Sequence, residues 1–237
     1  MMNNKFYMFL FISLIGCLNL YAQNEPWQNA QVNEINREPM YAHFIPYTNE
    51  SNALKQRSLP AEIRYDVNPI MERRISLDGT WKFLYSKNNE ECPSDFHQLG
   101  YSTRKWKNIQ VPGSWELQGF DAPIYTDTRY PFTPNPPFVP TDYNPVGAYI
   151  RDFTIPNDWN GMDIFIDFEG VESAYYVWVN GELAGYAEDS RLPSHFNITK
   201  LLKKGKNRLA VKVFRYSDGS YLEGQDYWKY SGIERSV

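Results

Sequence analysis

The residues with the greatest capacity for chemistry are the carboxylates, of which this chain of 237 residues has 28. Two carboxylates held at a fixed separation can divide the roles of acid and base between them. With so many carboxylates, neighbours in sequence arise by chance, and Glu188 and Asp189 are such a pair. Adjacent residues of a strand point to opposite faces of a sheet, so this pair would not act together. Pairing of carboxylates alone therefore identifies no catalytic site.

The histidines offer no clearer catalytic pattern. His43, His97 and His195 are scattered along the chain, and no serine or cysteine pattern surrounds them of the kind that accompanies a catalytic triad. The sequence also lacks a nucleophile elbow, a phosphate-binding loop and a metal-ligand helix. We therefore expect structural roles for the histidines and assign no catalytic residue.

The composition narrows the class of ligand. The net charge is −4 and the isoelectric point is about 5.5, whereas a nucleic-acid partner requires a basic face. Aromatic residues make up 16% of the chain, with 18 Tyr, 14 Phe and 7 Trp. Aromatic faces suit the C–H faces of sugar rings, and they also fill the cores of β-sandwiches. Composition alone leaves both uses open.

Residues 1–22 are predicted to be a signal peptide, and the protein is expected to be exported to the periplasm or beyond the cell. Lys5 precedes an apolar run, Phe6–Cys17, that is too short for a membrane-spanning helix. Two processing routes are open: cleavage after Ala22, which we favour, or lipidation of Cys17. After cleavage at Ala22 only Cys92 remains, so neither an internal disulfide nor a cysteine-based metal site can form.

Residues 23–71 are predicted to form an extended amino-terminal arm. This stretch is polar and aperiodic, but it carries more aromatic residues than a purely disordered leader would, among them Trp27, Tyr41 and Phe44. We expect these side chains to dock either on the following domain or on other parts of the protein.

Residues 72–237 are predicted to form an all-β domain, an antiparallel β-sandwich or jelly roll. The clearest signal is Asn180–Gly181 between two apolar stretches, the residue pair typical of a type I′ hairpin. Strands with turn signals at short intervals and little helical periodicity indicate a sandwich. The predicted strand regions are Leu77–Tyr85, Tyr149–Ile155, Asp163–Phe168, Ala174–Val179, Glu182–Ala187 and Asn207–Tyr216.

The stretch Tyr130–Pro145 is expected to be a stiff loop. It contains six prolines, and proline lacks the backbone donor that an inner strand needs. Two interpretations are open: a rigid crossover between strands, or a wall of a ligand pocket that presents aromatic side chains.

Several ordered motifs resemble the β-galactosidases of glycoside hydrolase family 2. In the domain they are Asp121–Thr126, Asn135–Thr141, Asp189–Ser194, Asn207–Val211 and Ser217–Glu223, the last continuing through Gln225, Asp226 and Trp228 to Ile233. Trp27–Asn29 and Asn33–Arg37 in the arm are similar to the leading segment of that family, so the resemblance runs from about Trp27 to the last residue.

The resemblance implies a jelly-roll sugar-binding domain followed by an immunoglobulin-like domain and a TIM barrel that carries both catalytic glutamates. This chain would end before the last two, and no Glu in it is given a catalytic role. Asp226 matches an aspartate that contacts galactose and binds a sodium ion, a task that suits hard carboxylate oxygens. Asp127 departs from the family pattern, which often has a sugar-contacting asparagine at this position; an ionised Asp cannot donate a hydrogen bond, but galactose hydroxyls can donate to it. Magnesium or calcium is implied only for the absent catalytic domain.

The sequence is therefore interpreted as the amino-terminal sugar-binding part of a β-galactosidase that hydrolyses terminal β-galactosides. Its partners would be the β-galactoside substrate and the remaining domains of the same enzyme; homo-oligomerisation is left open, and a nucleic-acid partner is not expected. The alternatives are a free-standing carbohydrate-binding module, or a fragment of a sibling β-glucuronidase or β-mannosidase, which the Gln225–Asp226 motif disfavours.

Overall fold

The computed structural model describes residues 25–42, 44–61, 63–64 and 70–237. The predicted signal peptide, with Cys17, and the isolated His43 lie outside the described residues. In the described ranges, none of the helices has both the length and the apolar character required to cross a membrane.

Within these residues the chain forms thirteen strands, and all of their pairings are antiparallel. Their bounds are β1 Glu34–Ile35, β2 Gly79–Ser86, β3 Lys107–Val111, β4 Ile124–Thr126, β5 Val146–Thr154, β6 Phe165–Phe168, β7 Val171–Glu172, β8 Ala174–Val179, β9 Glu182–Ala187, β10 Ser194–Asn197, β11 Lys206–Phe214, β12 Tyr227–Lys229 and β13 Gly232–Ile233. Seven strands form one sheet in the order β1-β9-β8-β11-β5-β2-β3. The other strands form three two-stranded sheets, in which β10 pairs with β6, β12 with β4 and β13 with β7. The prediction of a mostly-β, antiparallel structure is confirmed.

The hairpin between β8 and β9 turns where the sequence predicts it. Asn180 has φ of 55° and Gly181 has φ of 90°, and both values lie in the region that a type I′ turn requires. The Asn180 side chain also donates to the carbonyl oxygen of Leu201 at 2.8 Å. The turn is therefore held both by its own backbone preference and by a contact outside the hairpin.

The main core lies between one face of the large sheet and the small strand pairs. Leu209, Val211 and Val213 alternate along β11 and are fully buried in this core, together with Phe168 of β6 and Ile233 of β13. Each such side chain contributes about 1.5–3 kcal/mol when removed from water. The alternation predicted for β11 from its sequence is therefore the pattern that builds the sandwich.

The opposite face of the large sheet is covered as well, which the alternating pattern does not indicate. A second buried cluster includes Ala148, Ala210 and Phe214 from the sheet, with Phe96 from the connection between β2 and β3. Trp27 completes the cover, and its ring stacks on Phe214 with centroids 4.8 Å apart. The segment that contains Trp27 thus shields this face of the sheet from solvent.

A close backbone approach holds the leading segment against the sheet. Glu34 and Ile35 form β1 and pair with β9. A Cβ atom on Gly185 would lie 2.4 Å from the carbonyl oxygen of Ile35, a distance that no side chain permits. Glycine at this position therefore allows β1 to lie at the edge of the sheet.

One part of the stretch predicted to be extended is helical. Helix α1 spans Glu50–Arg57, and the Asn49 side chain accepts a hydrogen bond from the backbone N–H of Asn52 at 2.9 Å. This N-cap satisfies a backbone N–H that has no partner within the helix. Glu50 in the first turn and Arg57 in the last carry the charges that interact favourably with the helix dipole. The helix has only eight residues and a single buried one, Gln56, so it leaves no apolar periodicity for sequence reasoning to detect.

Candidate functional site

The two carboxylates singled out from the sequence lie at the same end of one short strand pair. Strand β4 pairs with β12 so that Thr126 lies opposite Tyr227. Asp127 directly follows β4, and Asp226 directly precedes β12. The antiparallel register therefore places two residues that are far apart in sequence at the same end of the strand pair.

Asp226 is exposed, and its carboxylate accepts a hydrogen bond from the hydroxyl of Tyr125 on β4. The bond raises the pKa of the Tyr125 hydroxyl, and the negative charges of Asp226 and Asp127 add to the effect. Both carboxylates thus act on the same tyrosine. Because Asp226 is exposed, its carboxylate is accessible to a ligand.

Asp127 is also exposed, and it lines a cavity of about 200 Å³. One of its oxygens accepts from the backbone N–H of Thr128 at 2.7 Å. The second oxygen has no protein partner in the described part of the chain. Asp226 itself does not line the cavity, but Lys229 at the far end of its strand does.

The proline-rich loop connects β4 to β5 and also supplies part of the cavity wall. Tyr130, Pro131 and Phe132 line the cavity. The Tyr130 hydroxyl donates to the carbonyl oxygen of Tyr221 at 3.1 Å, and the Tyr221 hydroxyl donates to that of Phe138 at 2.7 Å. The loop is therefore a crossover between strands whose first residues line the cavity and are bonded to its opposite wall; that this cavity binds a ligand stays a prediction.

A buried carboxyl that sequence reasoning missed also lines the cavity. Glu172 in β7 is 7% exposed, and its Oε2 accepts from Nη2 of Arg191 at 2.6 Å. Burial raises the pKa of Glu172 to about 8, and the nearby charge of Glu234 contributes to the rise. Glu172 is therefore protonated more readily than an ordinary glutamate, although the positive charge of Arg191 opposes this effect. No motif marks Glu172 in the sequence, where it stands within an ordinary strand.

The carboxylate oxygens of Asp226 are suitable ligands for a hard monovalent cation, but they form only part of a binding site. The Asp226 carboxylate and that of Asp127 are the kind of oxygen ligand that such ions prefer. Across the described residues, however, no group of three or more His, Cys, Asp or Glu side chains could hold a metal ion. This part of the chain would therefore supply only some of the ligands of a cation.

The two described histidines occupy structural positions away from the carboxylate pair. His195 Nδ1 contacts the carboxylate of Asp167, and its ring stacks on Tyr41 with centroids 4.4 Å apart. The His97 ring stacks on Trp178 at 4.8 Å. Neither arrangement includes a serine or cysteine nucleophile, in keeping with the roles expected from the sequence.

Comparison with known proteins identifies the type of domain. The model of the family described as glycosyl hydrolases family 2, sugar binding domain, matches residues 75–237. A beta-galactosidase of Priestia megaterium is 43% identical over 213 residues, which cover 88% of this chain and 20% of the relative. A beta-galactosidase of Halalkalibacterium halodurans is 41% identical over 219 residues, which cover 90% of this chain and 20% of the relative. The chain thus spans about a fifth of the length of these curated relatives.

A solved structure shares the fold. A calcium-binding mutant of Bacteroides uniformis beta-glucuronidase 2 aligns with a TM-score of 0.52 and 25% sequence identity. The alignment covers 68% of this chain and 17% of that chain. The β-sandwich is therefore shared by glycosidases whose names differ in the sugar they act on.

Proposed function

Because the chain belongs to glycoside hydrolase family 2 through its sugar-binding domain, we propose that it is the amino-terminal part of a β-galactosidase. The parent protein would hydrolyse terminal non-reducing β-D-galactose residues. The observation that carries the proposal within this chain is that Asp127, which lines a cavity with aromatic residues, lies at the same end of a strand pair as Asp226. The two relatives named beta-galactosidase, at 43% and 41% identity, favour galactosides as the substrate class.

In this proposal the jelly-roll domain supplies one side of the sugar pocket. Asp226 and Asp127 accept hydrogen bonds from sugar hydroxyls, since an ionised carboxylate can only accept. Tyr130 and Phe132 offer aromatic surface for the C–H face of a pyranose. Asp226 would also provide one ligand of a sodium ion, which supplies a positive charge near the sugar hydroxyls when bound. A divalent ion, magnesium or calcium, belongs to the proposed catalytic domain and has no assigned ligand here.

The proposal places both catalytic glutamates outside these 237 residues. Retaining glycosidases hold two carboxyl groups about 5–5.5 Å apart on either side of the scissile bond. We therefore expect no hydrolysis of a chromogenic β-galactoside by the 237-residue chain, and turnover by the full-length gene product. Activity that co-purifies with the 237-residue chain would refute this assignment, and a full-length product that is inactive on β-galactosides would refute the proposed function.

Two alternatives make different predictions for the same assays. A sibling β-glucuronidase or β-mannosidase would turn over the corresponding chromogenic glycoside in preference to the galactoside. The β-glucuronidase structure shows that such an enzyme shares this fold, at the lower identity of 25%. A free-standing carbohydrate-binding module would have a stop codon directly after Val237 in the native gene. Sequencing the downstream DNA separates the module from the enzyme.

We further propose that the protein is exported by a signal peptide spanning residues 1–22. The apolar run that follows Lys5 favours this assignment over a membrane anchor. With cleavage after Ala22, the mature protein begins at Gln23 and fractionates as soluble protein, which amino-terminal sequencing checks. Palmitate labelling that disappears in Cys17→Ala would instead establish lipidation and overturn the cleavage site.

A further inference from the structure

Arg215 is a buried cation that lines the cavity of the candidate site. None of the sequence motifs described above assigns a role to it. It directly follows β11, and 2% of its side chain is exposed. Its backbone N–H donates to the carbonyl oxygen of Pro145 at 2.8 Å, which fixes the start of the side chain. A buried guanidinium is tolerated only when it is paired and hydrogen-bonded, so its partners indicate what it holds in place.

The first partners of Arg215 lie just before β4. Nη1 donates to Oδ2 of Asp121 at 2.5 Å, and Nη2 donates to the carbonyl oxygen of Ala122 at 3.0 Å. Asp121 also accepts from the hydroxyl of Tyr85 at 2.8 Å and from that of Tyr143 at 3.1 Å. Arg215 therefore anchors the segment that runs into β4 and ends at Asp127.

A further partner of Arg215, Glu116, holds the chain just after β12. Oε1 of Glu116 lies 3.7 Å from Nη2 of Arg215. Oε2 of the same carboxyl accepts from the backbone N–H of Ser231 at 3.0 Å. Ser231 follows β12 and also accepts through its carbonyl oxygen from the N–H of Trp115 at 3.0 Å. Arg215 and Glu116 together thus reach the segment that leaves β12.

These contacts anchor both strands of the β4–β12 pair at one end, while Asp127 and Asp226 lie at the other. The pair has three residues in each strand and belongs to no larger sheet. An isolated two-stranded pair is marginally stable, so its position depends on such anchors. We infer that Arg215 is a positioning residue that sets the placement of Asp127 and Asp226 for sugar binding. This inference rests on the proposed function.

Arginine is required at this position because of its geometry. Its planar group directs separate N–H bonds to a carboxylate and to a backbone carbonyl, which the single ammonium of lysine cannot do in the same directions. Arg215→Lys keeps the charge and loses one of these bonds. The matched control is Arg208→Lys on the same strand, where the guanidinium contacts Asp152 at 3.2 Å and two backbone carbonyl oxygens away from the cavity.

The test uses the full-length gene product, with hydrolysis of a chromogenic β-galactoside and inhibition by galactose as measurements. We expect Arg215→Lys to raise KM and the galactose inhibition constant by about tenfold, with kcat changed by less than about twofold, as for a loss of uniform binding. In an Asp226→Asn background the same substitution should raise KM by less than about threefold, because only Asp127 is left to displace. Arg208→Lys should leave KM unchanged.

Equal KM values for Arg215→Lys and Arg208→Lys would overturn the inference, as would the same factor in both backgrounds. If Arg215→Lys does not fold, as judged by circular dichroism, Asp121→Asn serves instead, since it weakens the same anchor from the partner side. An unchanged KM in that variant would equally overturn the inference. Wild-type protein that is inactive on the galactoside would refute the proposed function and the inference with it, whereas active wild type with an unaffected Arg215 variant refutes the inference alone.

Discussion

Replacing Asp226 by Asn in the full-length gene product is expected to lower kcat/KM for a β-galactoside by about tenfold to 150-fold. The substitution nearly preserves shape but removes the charge that would hold a sugar hydroxyl. Hydrogen bonds to charged groups are worth about 1.5–3 kcal/mol, and about 1.4 kcal/mol corresponds to one factor of ten in rate. Steady-state kinetics on the purified variant measure the effect.

The same variant tests the proposed sodium ion. The dependence of the rate on sodium should weaken, because the cation loses an anionic oxygen ligand. The melting temperature should barely change, since Asp226 is exposed and its carboxylate accepts its hydrogen bond from Tyr125, itself an exposed residue. Asp142→Asn, at another exposed aspartate, is the control and should alter neither quantity. A lowered melting temperature with normal kinetics and sodium response would remove Asp226 from the site.

Replacing Trp27 by Ala is expected to lower the free energy of unfolding of the 237-residue chain by about 3–5 kcal/mol, the usual cost of truncating a buried aromatic side chain. Trp27 is 3% exposed and stacks on Phe214. Its loss would open the covered face of the large sheet and weaken the pairing of β1 with β9. Denaturant-induced unfolding, followed by circular dichroism, measures the difference.

Trp228→Ala provides the matched comparison, because Trp228 is 49% exposed and should cost much less. Trp27→Phe should lie between wild type and Trp27→Ala, since a smaller ring can still stack on Phe214. A Trp27→Ala variant that unfolds within about 1 kcal/mol of wild type, the range of ordinary substitutions, would show that the leading segment contributes little to the stability of the domain.

The strands of the domain were predictable because their signals are local. The alternation of Leu209, Val211 and Val213 and the Asn180–Gly181 turn depend only on neighbours in sequence, and the structure has both where they are expected. Helix α1 was not predictable in this way, because its stability relies on a cap at Asn49 and not on an apolar stripe. The signal peptide remains a prediction, since it lies outside the described residues.

The candidate site was predictable only in part. Asp226 and Asp127 were identified by motif resemblance, which says which residues matter but not how they meet. The register of β4 with β12 brings them together, and the Arg215 contacts that anchor this pair leave no local trace. Glu172 was missed for the same reason, because the property that sets it apart is burial beside Arg191 and Glu234, residues distant in sequence.

The sequence by itself determined the strand periodicity, the hairpin turn, the stiff proline-rich loop and the family to which the domain belongs. Tertiary structure alone decided that Trp27 covers the second face of the sheet, that the proline-rich loop lines a cavity, and that two distant aspartates share one end of a strand pair. The physical reason is the range of the interactions. Backbone preferences act between neighbouring residues, whereas burial, ion pairing and strand register depend on residues that only folding brings together.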